Sequence, residues 1–286
     1  MRRPQLHEEA LQPGRPAPGD QTAASQRIKH IYRRLLRAFG PQGWWPVTPS
    51  QGEKPVYRPG FYGPLREAEI FEICAGAILT QNTAWKNVVM AIETLNAAGL
   101  MAPGEIAACP LPRLERAVRS SGYFRQKARR LREFCRRAGK DHPEGFRAWF
   151  SSAPAGELRT ELLSYKGVGP ETADCMVLYG AGKPSFVVDA YTRRIGERAG
   201  LGRRSGYEAW KIRFELCLPS DVKLYNEYHA LFVRLGKDFC RKTGPLCGAC
   251  PLNSLCEKNI YGKHGKDRKT PGQGRVRPGA GRRKKY

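Results

Sequence analysis

Apolar residues recur at helical spacing along most of the chain. Ile28, Ile31, Tyr32, Leu35, Leu36 and Phe39 mark one face of a helix. Phe71 to Leu79 is nearly unbroken in its apolar character, the pattern of a helix buried on all sides. The same reasoning predicts helices over 86–99, Leu111–Ser120, Gln126–Ala138, Leu158–Tyr165 and Glu171–Tyr179. Ser185–Val188 alone has strand character, and 41–63 reads as a loop rich in Gly, Pro and aromatic residues. The expected fold is all-α, without internal repeats. Residues 1–26 and 261–286 depart from the pattern, being short of large apolar residues and rich in Gly, Pro or charge, and are expected to be disordered.

Composition adds a size and a partner. The chain has 286 residues, 41% of them hydrophobic, enough for one large domain or two small ones. No apolar run reaches the roughly 18 residues of a membrane span, and no apolar signal segment opens the chain, so a cytoplasmic monomer is expected. The formal net charge is +24. The last 26 residues hold 10 Lys+Arg and one Asp, and the first 26 hold three of each sign, leaving +15 on residues 27–260. The folded part is thus itself basic, and its expected partner is a polyanion, nucleic acid above all.

Nine cysteines in a reducing compartment point to metal chemistry where they cluster. Cys240, Cys247, Cys250 and Cys256 form C-x6-C-x2-C-x5-C, a set of soft ligands suited to an iron–sulfur centre or to zinc. The other five, Cys74, Cys109, Cys135, Cys175 and Cys217, are scattered and read as core residues.

A second motif lies upstream. In Leu162 to Ala173, Gly167, Val168 and Gly169 form a tight turn between two helices, and Pro170 suits the first turn of the second. Backbone N–H groups there can meet phosphate, and so can Lys166. Asp189 follows Glu171 by eighteen residues, placed to cap a helix that begins at Ala190. Arg125, Lys127, Arg129, Arg130 and Arg132, with Glu133 as the one acid among them, could lie along a DNA strand behind Tyr123 and Phe124.

Together, the hairpin L-x-x-x-G-V-G, Asp189 at that separation and the four-cysteine pattern resemble the endonuclease III superfamily of DNA glycosylases, over roughly Ile28 to Cys256. The resemblance implies a two-domain helix-hairpin-helix fold. One domain is a helical barrel (63–183). The other joins 27–62 to 184–260 and carries a [4Fe–4S] cluster on Cys240, Cys247, Cys250 and Cys256. It implies double-stranded DNA with damaged bases as partner, Asp189 as catalytic carboxylate and Gln81 as the residue filling the gap left by a flipped nucleotide.

Glu171 stands where bifunctional members of that superfamily carry the lysine that forms a Schiff base. A carboxylate cannot form an imine, so base release by water without strand cleavage is expected. Glu171 in G-V-G-P-E-T-A-D, the run Leu79-Thr80-Gln81-Asn82-Thr83 and Trp44-Trp45-Pro46 resemble the endonuclease III-like 3-methyladenine DNA glycosylases of bacteria. That subgroup implies a base sandwich at Trp45, Pro46 and Trp85, and an alkylated purine as substrate. Tryptophan faces attract such cationic bases by about 0.5–2 kcal/mol. Ordinary core packing is the other role open to these tryptophans. Two other readings are open for the whole protein: a glycosylase with lyase activity on oxidised pyrimidines, using Lys166 or another amine, and a DNA-binding module without catalysis.

Overall fold

The computed structural model describes residues 18–50, 53–63 and 65–258. Twelve α-helices account for most of them: α1 (Pro18–Phe39), α2 (Glu67–Leu79), α3 (Trp85–Ala97), α4 (Pro103–Ala108), α5 (Leu111–Ala117), α6 (Phe124–Asp141), α7 (Phe146–Ser152), α8 (Ala155–Leu163), α9 (Pro170–Cys175), α10 (Ala190–Arg198), α11 (Gly206–Cys217) and α12 (Val222–Asp238). Among the described residues there is no sheet; Val47 and Val56 form one isolated antiparallel bridge. The expected basic tail, 261–286, lies outside the described residues.

α2 is the centre of the first helical group. Its residues from Glu69 to Leu79 are all buried, and α3, α6, α7 and α9 pack around it. α1 belongs to the other group, packing on α11 and α12 across most of the chain's length. α1 starts at Pro18, inside the stretch 1–26 expected to be disordered. The cause is the stripe Ala24, Ile28, Ile31 and Leu35, all buried, which carries the apolar face one turn further back than the large residues alone suggest. Ser25 Oγ also donates to the Cys217 carbonyl at 2.8 Å.

Ser185–Val188 has no regular secondary structure and pairs with no strand among the described residues. Side chains satisfy its backbone instead. Phe186 N–H donates to Glu215 Oε1 (2.9 Å) and Val188 N–H to the Tyr207 hydroxyl (3.2 Å). Behind it, the fully buried Asp174 on α9 accepts from Arg159 Nε (2.9 Å) and Ser185 Oγ (2.5 Å), and Lys211 Nζ lies 3.1 Å away. A buried carboxylate is tolerated only when so paired. The network fixes the segment that ends at Asp189.

The loop 41–63 is anchored by buried glutamates. Glu227 on α12 accepts from Gln42 N–H (2.8 Å) and the Tyr62 hydroxyl (2.9 Å). Glu72 accepts from Thr48 N–H (2.9 Å), and Glu69 from Arg58 (3.0 Å). These bonds set the loop's two tryptophans against α2.

Candidate active site

Asp189 is the N-cap of α10. Its Oδ1 accepts the Thr192 N–H at 2.7 Å, and the residue is only 9% exposed. Burial by itself pushes a carboxyl up. Here His229, whose Nε2 lies 3.7 Å from Oδ2, and the Thr192 N–H outweigh it and hold Asp189 below the usual carboxylate range. Asp189 is therefore ionised at neutral pH.

Glu171, in the first turn of α9, is the second carboxyl of the cleft. Protein crowding first, and the charge of Asp189 second, raise it to about 7, partly offset by His229 and Arg193. Its side chain nevertheless keeps contact with solvent, so water reaches it. The two carboxyls are in mutual electrostatic contact, one held low and the other raised toward neutrality.

The glycine hairpin takes the predicted form. Gly167 has φ +89, and a Cβ there would strike the Arg130 side chain. Val168 is buried, Gly169 precedes α9 and Lys166 is exposed. Gln81, in the turn after α2, donates through Nε2 to the Gly167 carbonyl (2.9 Å) and to Thr172 Oγ1 (3.0 Å), while Arg130 Nη1 donates to its Oε1 (2.9 Å). The structure thus brings Gln81 and the hairpin together. Lys166 is not among the charges acting on Asp189 or Glu171. Lys237 on α12 is within electrostatic reach of Asp189; burial lowers it, and Asp238 and Asp189 oppose that shift.

The tryptophans divide. Trp45 is buried under α2, where a Cβ on Gly76 would come within 3.1 Å of its ring. Trp45 meets Trp85 edge to face at 5.0 Å and Tyr179 at 5.4 Å. In this arrangement no flat base fits between Trp45 and Trp85. Trp44 instead lines an open cavity of about 330 Å³ with Gln42, Tyr57, Val233 and Lys237. Pro46 is buried in the same loop.

The α6 cations divide as well. Lys127 is buried, donating to the Leu79 carbonyl at 2.7 Å and the Ser121 carbonyl at 2.5 Å. Arg130 is committed to Gln81, and Arg132 reaches the Cys109 carbonyl at 3.5 Å. Arg125 and Arg129 remain exposed, beside Tyr123, which is 71% exposed in a left-handed conformation (φ 45).

Cys240, Cys247, Cys250 and Cys256 line one pocket with Phe239, Pro245 and Arg198. Burial first, then the nearby cysteines, push the Cys250 and Cys256 thiols up. Among the described residues no group of His, Cys, Asp or Glu is arranged around a single ion. Four thiol donors around one pocket are the soft donor set that an iron–sulfur centre or a zinc ion takes. The loop hangs on arginines. Arg198 donates to the Arg241 carbonyl (2.6 Å), Arg194 to the Cys240 carbonyl (2.9 Å) and Arg27 to the Leu255 carbonyl (2.8 Å). Both Arg194 and Arg198 lie on α10, so the helix capped by Asp189 is bonded through its arginines to the cysteine loop. The other five cysteines are buried.

Sequence reasoning missed Tyr179, in the segment after α9, and His229 and Lys237, which belong to no motif and reach Asp189 only through the packing of α12. It also missed the three glutamates that hold the 41–63 loop.

Residues 75–219 match the family described as HhH-GPD superfamily base excision DNA repair protein. The chain is 37% identical, over 81% of its length and 96% of the relative's, to a protein of Methanocaldococcus jannaschii named as a DNA repair glycosylase. It is 28% identical to the endonuclease III of Thermotoga maritima, over 70% of this chain and 88% of that one. Its fold is similar to that of endonuclease III in a non-covalent DNA complex, with a TM-score of 0.64 at 23% identity over 82% of this chain and 95% of that chain. It is also similar to a Helicobacter pylori 3-methyladenine DNA glycosylase bound to 1,N6-ethenoadenine, with a TM-score of 0.55 at 24% identity over 76% and 97%.

Proposed function

The chain belongs to the HhH-GPD superfamily of base excision DNA repair proteins, in its endonuclease III-like branch, and from that premise we propose that it is a monofunctional DNA glycosylase releasing an alkylated purine from duplex DNA. The observation that carries the reading is the pair of carboxyls: an ionised Asp189 beside a Glu171 where a Schiff base would need an amine.

Phosphate contacts of the hairpin, Lys166, Arg125 and Arg129 hold the duplex, and their contribution falls with salt. Tyr123 and Gln81 stand where the extruded nucleotide leaves a gap. Extrusion costs a few kcal/mol, least at a weakly paired lesion. The C1′–N bond breaks with its electron pair leaving on the base. Asp189 stabilises the positive charge on the sugar. Water then bonds to C1′, and its proton passes to Glu171 or to solvent.

The base itself is received beside Trp44 and Tyr57, or between Trp45 and Trp85 once their contact opens. Lys237 Nζ lies 5.9 Å from the Trp44 ring centre, so a cationic base reaches that face as this lysine moves aside or loses its proton. The cysteine pocket suits a [4Fe–4S] cluster, which when bound supplies rigid cross-linking of the loop. All proposed chemistry at the sugar belongs to the chain's own side chains.

The test uses end-labelled duplex carrying one alkylated purine, divided between alkaline and neutral quench. Strand cleavage only after alkali supports base release without lyase action. Cleavage in the neutral half overturns the monofunctional assignment, and borohydride trapping on Lys237→Met and Lys166→Met then locates the amine.

A further inference from the structure

A buried carboxylate such as Asp189 needs partners at both of its oxygens. One oxygen is accounted for by the helix cap. The other lies 3.7 Å from Nε2 of His229 on α12, and the Thr192 side chain also favours the carboxylate's charge.

His229 is itself held from behind. Tyr179, in the π-helical segment after α9, has its hydroxyl 2.6 Å from His229 Nδ1. Tyr179 is buried, and its ionisation is driven well above the usual phenol range by burial and by nearby acidic groups, Asp189 among them. It is therefore a neutral phenol whose O–H needs an acceptor, and Nδ1 is that acceptor. A neutral imidazole that accepts at Nδ1 carries its hydrogen at Nε2, on the side of Asp189. The opposite tautomer would set a lone pair against a carboxylate.

We propose that Tyr179 and His229 form a positioning relay, in which the tyrosine fixes the imidazole tautomer and the imidazole N–H holds Asp189 ionised and oriented. The relay lies along one path through the fold: the segment after the hairpin helix, then α12, then the cap of α10. Its Nε2–Oδ2 gap of 3.7 Å is longer than a hydrogen bond, so the contact acts through the field of the N–H. The other titratable groups around Asp189 are Glu171 and Cys175 from α9, Tyr179 itself and Lys237 from α12, with Arg193 of α10 acting on Glu171. Of these, only Lys237 and Arg193 carry positive charge, and neither stands against Asp189 as a bonded partner.

This inference rests on the glycosylase reading only for its consequence in catalysis; the state of Asp189 can be read without any substrate. In the full chain labelled with ¹³C at aspartate carboxyls, the Asp189 signal is assigned by its loss in Asp189→Asn, and its titration is followed in wild type, His229→Leu, His229→Gln and Tyr179→Phe. His229→Leu should move the Asp189 titration upward by about one pH unit or more. His229→Gln, which restores an N–H donor, should bring it most of the way back. Tyr179→Phe should leave the fold intact and shift His229 ¹⁵N signals toward a mixture of tautomers, with a smaller rise at Asp189. An Asp189 titration in Tyr179→Phe identical to wild type, with unchanged His229 imidazole ¹⁵N signals in that variant, overturns the relay even should His229→Leu fail to fold. In single-turnover base release, the acid limb should rise with the Asp189 titration while DNA affinity stays within about twofold. If the carboxyl titrations shift as expected and no lesion is ever released, the relay stands and the glycosylase reading falls.

Discussion

The region around α2 and the cysteine loop are held together by opposite means. Around α2, Ile70, Phe71, Ile73 and Leu79 are buried among the apolar faces of α3, α6 and α7, and burial of apolar surface supplies the stability. In the loop from Cys240 to Lys258, Leu252 is the only buried residue. It is tied down by arginines that reach its carbonyls and by four cysteines around one pocket. A region with so little apolar burial needs cross-links, as small domains do generally. α10 stands between the two regimes, with Asp189 at one end and Arg198 at the other. The lesson is that apolar packing is not the whole of the fold: α10, capped by Asp189, is tied at its other end to a loop held by polar bonds.

The contrast can be broken at the loop. In Cys247→Ser the loop should lose its cross-link, and base release should fall about 100-fold or more, while helicity measured by circular dichroism changes little. Loss of the whole cooperative fold would show that the two regions are one unit. Purified wild type should be yellow-brown, with bound iron and sulfide; a colourless protein with stoichiometric zinc would leave the cross-link in place with a different metal.

The tryptophans sharpen the same contrast on the barrel side. Trp45→Ala should cost about 3–5 kcal/mol of stability in denaturant unfolding, as core truncation of a large aromatic does. Trp44→Ala should cost less and act mainly on KM for lesion-bearing DNA. The reverse ranking would mean that Trp45 faces the base and Trp44 is structural.

Much of this was legible in the sequence, for identifiable reasons. The apolar period marked α2, α3 and α6, and fixed spacings marked the hairpin, Asp189 and the cysteines. Sequence gives no sign that Lys127 would be spent on carbonyls, because a buried lysine and a phosphate-facing one read alike in a basic run. Ser185–Val188 has strand composition, but Glu215 and Tyr207 satisfy its backbone from α11, a long-range substitution no local pattern reveals. His229 reaches Asp189 from forty residues away through packing alone. The loop 41–63 reads as irregular because its anchors, Glu69, Glu72 and Glu227, lie outside it.

A smaller effect is expected at Glu171. Its carboxyl is raised to about 7 in the fold from an ordinary 4.5. A raised folded value favours the protonated native state, so this group's stabilising contribution is full below about 4.5 and is lost as pH rises through about 7. Glu171→Gln should therefore raise Tm more at pH 8 than at pH 5. An equal change at both would mean that the carboxyl titrates at its ordinary value. Being in contact with solvent, the group should give a modest difference.

The central claim, that Asp189 carries base release, is tested most directly by single-turnover reaction of wild type and Asp189→Asn on one duplex with an alkylated purine, with DNA affinity measured alongside. The account predicts release by wild type, a fall of about 10²–10⁴-fold in the variant and affinity kept within a few fold. Release by Asp189→Asn at the wild-type rate would contradict it.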